Sequence, residues 1–303
     1  MTPGAERAYP DHSTPQELDR IRRAVRRGSA GLWRDLPWRA TRDPWLVLVS
    51  EVMLQQTQAP RVVAPFRRFV ERFPTPAACA AAGTAEVVRA WAGLGYNRRA
   101  VNLHRTAVTI VERHAGRVPD ALDALLALPG VGPYTARAVL AFAHGHSIGV
   151  VDTNVKRVLS RAVAGRSLTA GEAQRLADRL VPPASAWRFN QALLDLGACC
   201  CTARSPRCTA CPLASRCRWA GTVAAARGDD PAAAGRRRQG AFAGSDRQGR
   251  GRLVGALRVG AVPAGHVALV AGWPTDERRA MRVAEALVDE GLARWRGGAL
   301  TLA

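Results

Sequence analysis

Along residues 43–143 apolar positions recur every three or four residues in short runs that proline and glycine interrupt, a pattern that predicts successive helices. Asp43 and Pro44 open one of them. An aspartate oxygen can accept from the free N–H groups of a first turn, and proline fits that turn without losing a hydrogen bond. Trp45, Leu48, Val49, Val52 and Gln56 then follow at helical spacing. Residues 122–143 read LDALLALPGVGPYTARAVLAFA: an apolar helix, the turn Pro129-Gly130-Val131-Gly132, and a second helix opened by Pro133, which together form a helix-hairpin-helix pattern. Residues 1–28 are polar and broken by Pro3, Pro10 and Pro15, which predicts a flexible arm leading into a basic helix start. Residues 222–240 are poor in large apolar side chains and rich in Ala, Gly and Arg, the composition of a linker. Beyond the linker, 247–259 and 276–292 read as two helices and 293–303, with Gly297-Gly298 at its middle, as a hairpin. That order predicts a small winged-helix-like module over 241–303.

A chain of 303 residues suggests about two domains. With 48% hydrophobic and 22% charged residues it has a globular composition, which excludes wholesale disorder, collagen-like chains and long coiled coils. No run approaches the ~18 apolar residues of a membrane span, and the N-terminus lacks the apolar core of a signal peptide. The expectation is therefore a cytoplasmic chain with no membrane contact. Charge changes the picture further: 44 Lys and Arg against 24 acids leave +20, and Lys156 is the single lysine. Guanidinium pairs bidentately with phosphate oxygens, so the excess points to a polyanionic partner, nucleic acid first. A habit of writing Arg for Lys would explain the missing lysines but not the net charge. Residues 222–303 hold 13 Arg and 8 acids, so both ends are basic. Within 236–258 seven Arg face only Asp246, a run that is either a solvated face or a DNA contact.

The glycines of the hairpin permit a tight turn and leave N–H groups uncovered, so Gly130, Val131 and Gly132 can hold a phosphate without a side-chain charge. An ordinary helical corner has the same composition. Asp152 follows Gly132 by twenty residues and stands just before a helix that should begin near Asn154. Position alone reads it as a cap. A second carboxylate alters that reading. Glu51 interrupts the apolar run WLVLVSEVML, where burial would disfavour its charged form and raise its pKa. A raised Glu paired with an ionised Asp lets one carboxyl donate a proton while the other stabilises a developing cation. Spacing does not show that the two meet.

Six of the seven cysteines fall within residues 199–217, which in an intracellular chain suggests metal rather than disulfides. Cys201, Cys208, Cys211 and Cys217 have the spacing C-x6-C-x2-C-x5-C. Four thiolates can hold a 4Fe-4S cluster or a tetrahedral zinc; a single C-x2-C knuckle, where zinc sites usually pair two, favours the cluster. Cys199 and Cys200 read as packing residues or spares, and Cys79 as a core thiol. His144 and His146 read as loop polarity or as phosphate contacts.

Residues 30–218 resemble the helix-hairpin-helix DNA glycosylases with a Gly/Pro loop and an Asp, and within them the MutY-type adenine DNA glycosylases. The resemblance rests on RDLPWR (34–39), SEVMLQQTQ (50–58), GLGY (93–96), LPGVGPYTA (128–136), VDTNVKRV (151–158), FNQALLDLGA (189–198) and the cysteine spacing. It implies an all-α fold: a cluster domain from 29–44 and 145–221, and a helical barrel with the hairpin over 45–144, with DNA gripped over the cleft between them. It also implies base excision, in which adenine opposite 8-oxoguanine or guanine in duplex DNA is flipped out and its N-glycosidic bond broken. Carried over residue by residue, Glu51 is the general acid at adenine N7 and helps activate water. Asp152 stabilises the oxocarbenium-like sugar, and Tyr134 and Asn154 assist. Arg34, Leu36, Trp38 and Gln191 line the adenine pocket, while Gln56, Thr57, Leu94 and Tyr96 probe the opposite base. Gly130, Val131 and Gly132 hold phosphate, and the four spaced cysteines hold one 4Fe-4S cluster. The expected state is a monomer.

Two departures carry consequences. Tyr134 stands where endonuclease III-type relatives carry a catalytic lysine, so a lyase step has no nucleophile there and the expected enzyme is monofunctional. Lys156 then reads as a phosphate contact or a structural side chain. Asn97 follows Tyr96 where a second tyrosine is frequent, a mild change. The larger departure is at the C-terminus: 241–303 is too short for the Nudix-like domain by which many members recognise 8-oxoguanine, which leaves selectivity to the N-terminal probes. Two rival readings remain. A pyrimidine-lesion glycosylase of the endonuclease III kind shares the hairpin, the Asp and the cluster, but Glu51 and the missing lysine count against it. A non-catalytic DNA-binding regulator with structural zinc would be colourless, whereas a cluster protein is brown.

Overall fold

In the computed structural model, which describes residues 14–28, 30–233 and 240–303, one unit is formed by Met1–Asp35 with Leu140–Arg237 and the other by Leu36–Val139 with Arg238–Ala303. The helices in chain order are α1 (Pro15–Gly28), α2 (Pro44–Leu54), α3 (Ala59–Arg72), α4 (Pro76–Ala90), α5 (Arg98–Arg113), α6 (Leu122–Leu126) and α7 (Pro133–Phe142). They continue as α8 (Thr153–Val158), α9 (Ala170–Leu180), α10 (Ala186–Asp195), α11 (Val223–Ala226), α12 (Asp246–Val259), α13 (Val267–Ala271) and α14 (Glu277–Asp289). Both α8 and α10 run on into π-helical turns, Leu159–Ala164 and Leu196–Cys200. Among the described residues the strands are β1 (Val262–Pro263), β2 (Ala293–Arg296) and β3 (Ala299–Leu302), all near the C-terminus, so the main body is all-α as the sequence predicts.

The second unit is organised around α2. Asp43 Oδ1 accepts from Trp45 N at 2.8 Å and Leu46 N at 3.1 Å, and Pro44 takes the first turn, the start that residues 43–44 predict. The helix is buried on every side from Val47 to Met53, because its apolar residues leave no polar stripe for water. Phe66, Phe69 and Trp91 close the core, with the Phe69 and Trp91 rings edge to face at 5.9 Å. The expected helical spacing through Gln56 does not hold. The helix ends at Leu54, and Gln56 sits in the left-handed region at φ 54°.

The C-terminal segment runs α12, β1, α13, α14, β2, β3, the helix and strand order of a winged helix. Its sheet is antiparallel in the order β1-β3-β2, with Trp295 opposite Leu300 and Val262 on the other side of Leu300. Gly297 and Gly298 both have positive φ, 54° and 74°, the conformation that a two-residue hairpin turn demands. The segment was expected to stand as a separate module, yet it shares one unit with α2–α6. The physical reason is direct attachment. Arg258 of α12 donates to Val88 O on α4 at 3.0 Å, and Gly291 lies against the Arg105 side chain of α5, whose Nη2 would be 2.6 Å from a Cβ there.

In the first unit the flexible-arm expectation for 1–28 meets a helix over Pro15–Gly28. Residues 1–13 lie outside the described residues. Leu18, Ile21, Ala24 and Val25 form a helical stripe buried in the core that also holds Val155, Val158, Leu176, Leu180 and Phe189. Burying such side chains is worth roughly 1.5–3 kcal/mol each for the large ones, enough to outweigh a polar opposite face. Arg22 Nε donates to Leu180 O at 3.0 Å, satisfying a carbonyl at the end of α9. The expected linker over 222–240 contains α11 and the ion-paired Asp230; residues 234–239 lie outside the described residues.

Candidate active site

Glu51 is 3% exposed in the middle of α2, between Ser50 and Val52, which are also buried. Its Oε2 is one of three buried side-chain atoms among the described residues that make no hydrogen bond, although the residue itself has other interactions. The chain just past α2 carries Gln55, Gln56 and Thr57. Gln55 Nε2 reaches Gly130 O at 3.4 Å and Thr135 Oγ1 at 3.3 Å, so the end of α2 is tied to the hairpin.

The hairpin itself is anchored by α5. Thr106 Oγ1 donates to Pro129 O at 2.7 Å, and Gly130, at φ 76°, lies so close to Asn102 that a Cβ would meet that side chain at 2.8 Å. Gly132 is different: its φ is not in the left-handed region, and a Cβ there would meet nothing within 4 Å. Its value is an uncovered backbone face rather than a forced turn. Pro133 opens α7, and Tyr134, in its first turn, is half-buried.

Arg99 joins the end of α2 to the loop Gly93–Tyr96, a role that no motif reading had assigned. It is 8% exposed, and Nη1 donates to Val52 O at 2.8 Å, Met53 O at 2.7 Å and Gln55 O at 2.7 Å. Nη2 donates to Thr57 Oγ1 at 3.0 Å and Gly95 O at 2.8 Å. One guanidinium thus satisfies carbonyls that the end of α2 leaves open and fixes the loop Gly93–Tyr96 beside them. Burial lowers its pKa to about 10, which leaves it charged at neutral pH. Leu94 is buried, while Tyr96 is 48% exposed and held at φ 54°, a strained conformation for a residue with a Cβ.

In the first unit Asp152 is the N-cap of α8, accepting from Val155 N at 2.6 Å through Oδ1. The cap reading is correct, but it uses one oxygen only. Oδ2 accepts from Asn154 Nδ2 at 2.7 Å, and Asn154 Oδ1 in turn accepts from Arg157 Nη2 at 2.8 Å. Arg157 also donates to Gly197 O at 2.7 Å and to Cys201 O at 2.7 Å. Gly197 permits this approach, since a Cβ there would lie 2.8 Å from that of Asn154. A continuous chain of hydrogen bonds therefore runs from the first spaced cysteine to the carboxylate. Arg157 and Gly197 were not singled out from sequence, because only the fold brings residues 40 positions apart together. Lys156, half-buried on α8, is not in this chain.

Cys201, Cys208, Cys211 and Cys217 line one pocket together with Cys200, Arg161, Leu196, Leu213 and Trp219. The four cysteines lining this one pocket can supply the four thiolates that a 4Fe-4S cluster needs. Burial pushes the Cys211 thiol up to about 12, and burial with the neighbouring Cys217 and Cys201 pushes Cys208 up as well. Thiolates crowded like this need a cationic core to stay deprotonated. Arg161, 2% exposed, supports the site: Nη1 lies 3.4 Å from Cys201 Sγ, the guanidinium pairs with Asp230, and it stacks 4.7 Å above the Trp219 ring. About four irons and four sulfides per chain are expected on analysis, and Cys211→Ser should lose most of that iron; equimolar zinc without iron would overturn the assignment.

The remaining adenine-pocket candidates fall in both units. Arg34 pairs through Nε with Asp195, which is fully buried, and Gln191 is 5% exposed on α10. Leu36 and Trp38 are 9% and 6% exposed in the second unit, Trp38 edge-on to Phe66 at 5.5 Å.

Residues 49–183 match the HhH-GPD superfamily of base excision DNA repair proteins, and residues 201–217, from the first spaced cysteine to the last, match the iron-sulfur binding domain of endonuclease III. The chain is 46% identical over 263 residues to the adenine DNA glycosylase of Mycolicibacterium smegmatis, covering 86% of this chain and 87% of that protein. Against the adenine DNA glycosylase of Mycobacterium tuberculosis the identity is 47%, over 86% of this chain and 85% of the relative. The human adenine DNA glycosylase is 42% identical over 63% of this chain and 39% of its own length. Among solved structures, a thermostable thymine-DNA glycosylase superposes with a TM-score of 0.63 at 30% identity, over 67% of this chain and 95% of that one. A non-covalent endonuclease III–DNA complex gives 0.59 at 27% identity, over 66% and 95%.

Proposed function

The chain belongs to the adenine DNA glycosylase family within the HhH-GPD superfamily of base excision DNA repair proteins, and from that membership we propose that it excises adenine mispaired with 8-oxoguanine or guanine without cutting the strand. It is a DNA N-glycosylase and carries one 4Fe-4S cluster. The observation that carries the proposal is Glu51, a carboxyl 3% exposed inside a helix whose other residues, Ser50 apart, are apolar. A buried carboxyl positioned to give its proton is what a poor leaving group such as adenine requires.

Glu51 gives its proton to N7 of the flipped adenine. The C1′–N9 bond then breaks with its electron pair passing to the base, leaving positive charge on the sugar. Asp152, oriented by Val155 N and Asn154, stabilises that cation. Water adds at C1′ and loses a proton to the Glu51 carboxylate, which regenerates the acid and yields free adenine and an abasic site. Tyr134 cannot form the Schiff base that a lysine would, so the reaction ends there. Cys201, Cys208, Cys211 and Cys217 would hold the cluster, which would supply no step in this scheme; Arg157 links the Cys201 carbonyl to Asn154 and so to the orientation of Asp152.

Arg34, Leu36, Trp38 and Gln191 are proposed for the adenine pocket, Gln56, Thr57, Leu94 and Tyr96 for the opposite base, and Gly130, Val131 and Gly132 for backbone phosphate. The proposed enzyme is an intracellular monomer; no helix among the described residues is long and apolar enough to cross a membrane. Single-turnover assays on duplexes with adenine opposite 8-oxoguanine, guanine or thymine test the proposal. Adenine release at the first two only is expected, with the strand intact until alkali is added and no protein–DNA adduct trapped by borohydride. Spontaneous strand cleavage, or release of an oxidised pyrimidine instead, would replace this reading by that of an endonuclease III-type enzyme.

A further inference from the structure

The C-terminal module is joined to the loop that carries Tyr96. Arg258, at the end of α12, donates through Nη2 to Asn97 Oδ1 at 2.8 Å and through Nε to Val88 O at 3.0 Å, a carbonyl in the last turn of α4. Asn97 is 8% exposed and occupies the N-cap position of α5. Asn97 has helical backbone angles, φ −58° and ψ −20°, and its side chain makes no cap bond to α5. Its oxygen is committed to Arg258.

That commitment matters because Tyr96, the residue before it, is held in the left-handed region and is 48% exposed. A strained residue persists only where its surroundings over-determine it. Arg99 grips the loop from one side, through Gly95 O, and Arg258 from the other, through Asn97. Gly291, in the turn after α14, also lies against the Arg105 side chain of α5.

We propose that the C-terminal module takes part in reading the opposite base by positioning Tyr96 through the Arg258–Asn97 hydrogen bond. Arg258 and Asn97 are positioning residues: neither touches DNA in this scheme. The module thus influences selectivity from behind the probe loop. The inference rests on the assignment of Tyr96 to the opposite base.

The test uses the full chain with its cluster and the variants Arg258→Ala and Arg258→Lys. Arg258→Ala is expected to speed amide exchange over residues 93–99 about tenfold while leaving α2 peptides as they are. Binding to a duplex with a non-cleavable adenine analogue opposite 8-oxoguanine should weaken about tenfold, and binding opposite guanine much less. The single-turnover rate at saturating enzyme should fall less than about threefold, a split between affinity and rate that loss of folded protein would not give. Arg258→Lys keeps one donor for Asn97 and should recover part of the affinity. Unaltered exchange in Arg258→Ala overturns the inference, as does faster exchange with an unaltered preference for 8-oxoguanine over guanine. Failure of the wild-type chain to release adenine would instead remove the functional reading, and the exchange result would still decide whether Arg258 holds the loop.

Discussion

Glu51→Gln is expected to slow single-turnover adenine release by about 10²–10⁴-fold, the usual worth of a positioned general acid. The corresponding loss of transition-state stabilisation is roughly 3–5 kcal/mol. Gln has the shape of Glu and no proton to give, so the variant isolates proton donation from packing. Because Glu51 is buried at 3% exposure, replacing its carboxyl by a neutral amide removes a group that is costly to ionise there. The melting temperature should therefore hold or rise, and binding to mismatched duplex should persist. A rate within tenfold of wild type would place the acid elsewhere; a lost rate accompanied by an early melting transition would mean that the substitution acted on α2 rather than on the chemistry.

Local signals were legible and distant ones were not. Asp43-Pro44 starts a helix by contacts within three residues, and the structure shows those bonds. Gln56 was misplaced on the same helix, because what ends it is Arg99, 44 to 47 residues further on, which takes the carbonyls of Val52, Met53 and Gln55. The stripe Leu18, Ile21, Ala24, Val25 has helical spacing, but five arginines in the same stretch made it read as a polar arm. Only the core supplied by α8–α10 gives that stripe something to cover. The Gly297-Gly298 hairpin was visible in two letters, whereas the attachment of its module depends on Arg258 and Asn97, 161 positions apart.

The candidate site divides in the same way. The cysteine spacing pointed to a cluster before the fold was known, since ligand number and knuckle pattern are local. What the cysteines support was not visible: Cys201 O receives Arg157, Arg157 fixes Asn154, and Asn154 fixes Asp152. The cluster loop is thereby tied by hydrogen bonds to the carboxylate proposed to stabilise the sugar cation. Arg161 repeats the pattern at the pocket wall, where Asp230, from a stretch that reads as linker, closes over it.

Asp152 has two roles that a pair of substitutions can separate. As N-cap of α8 it accepts from Val155 N through Oδ1, and as the proposed cation stabiliser it presents a charged oxygen held by Asn154. Asparagine caps as well as aspartate, so Asp152→Asn should keep the cap and cost only the lost bond from Asn154, about 1 kcal/mol. It loses the charge, and its new amide would face the Nδ2 of Asn154. That residue cannot turn over to accept, because Arg157 already holds its Oδ1. Asp152→Asn is therefore expected to lower the single-turnover rate by about 10²–10³-fold, comparable to removing one preorganised electrostatic contact in other enzymes. Asp152→Ala removes the cap as well and should cost a further 0.5–2 kcal/mol or so of stability while slowing the reaction little beyond Asp152→Asn. If Asp152→Asn retained a rate within tenfold of wild type while Asp152→Ala lost both rate and stability together, the carboxylate would be a cap alone, and the cation would need another stabiliser.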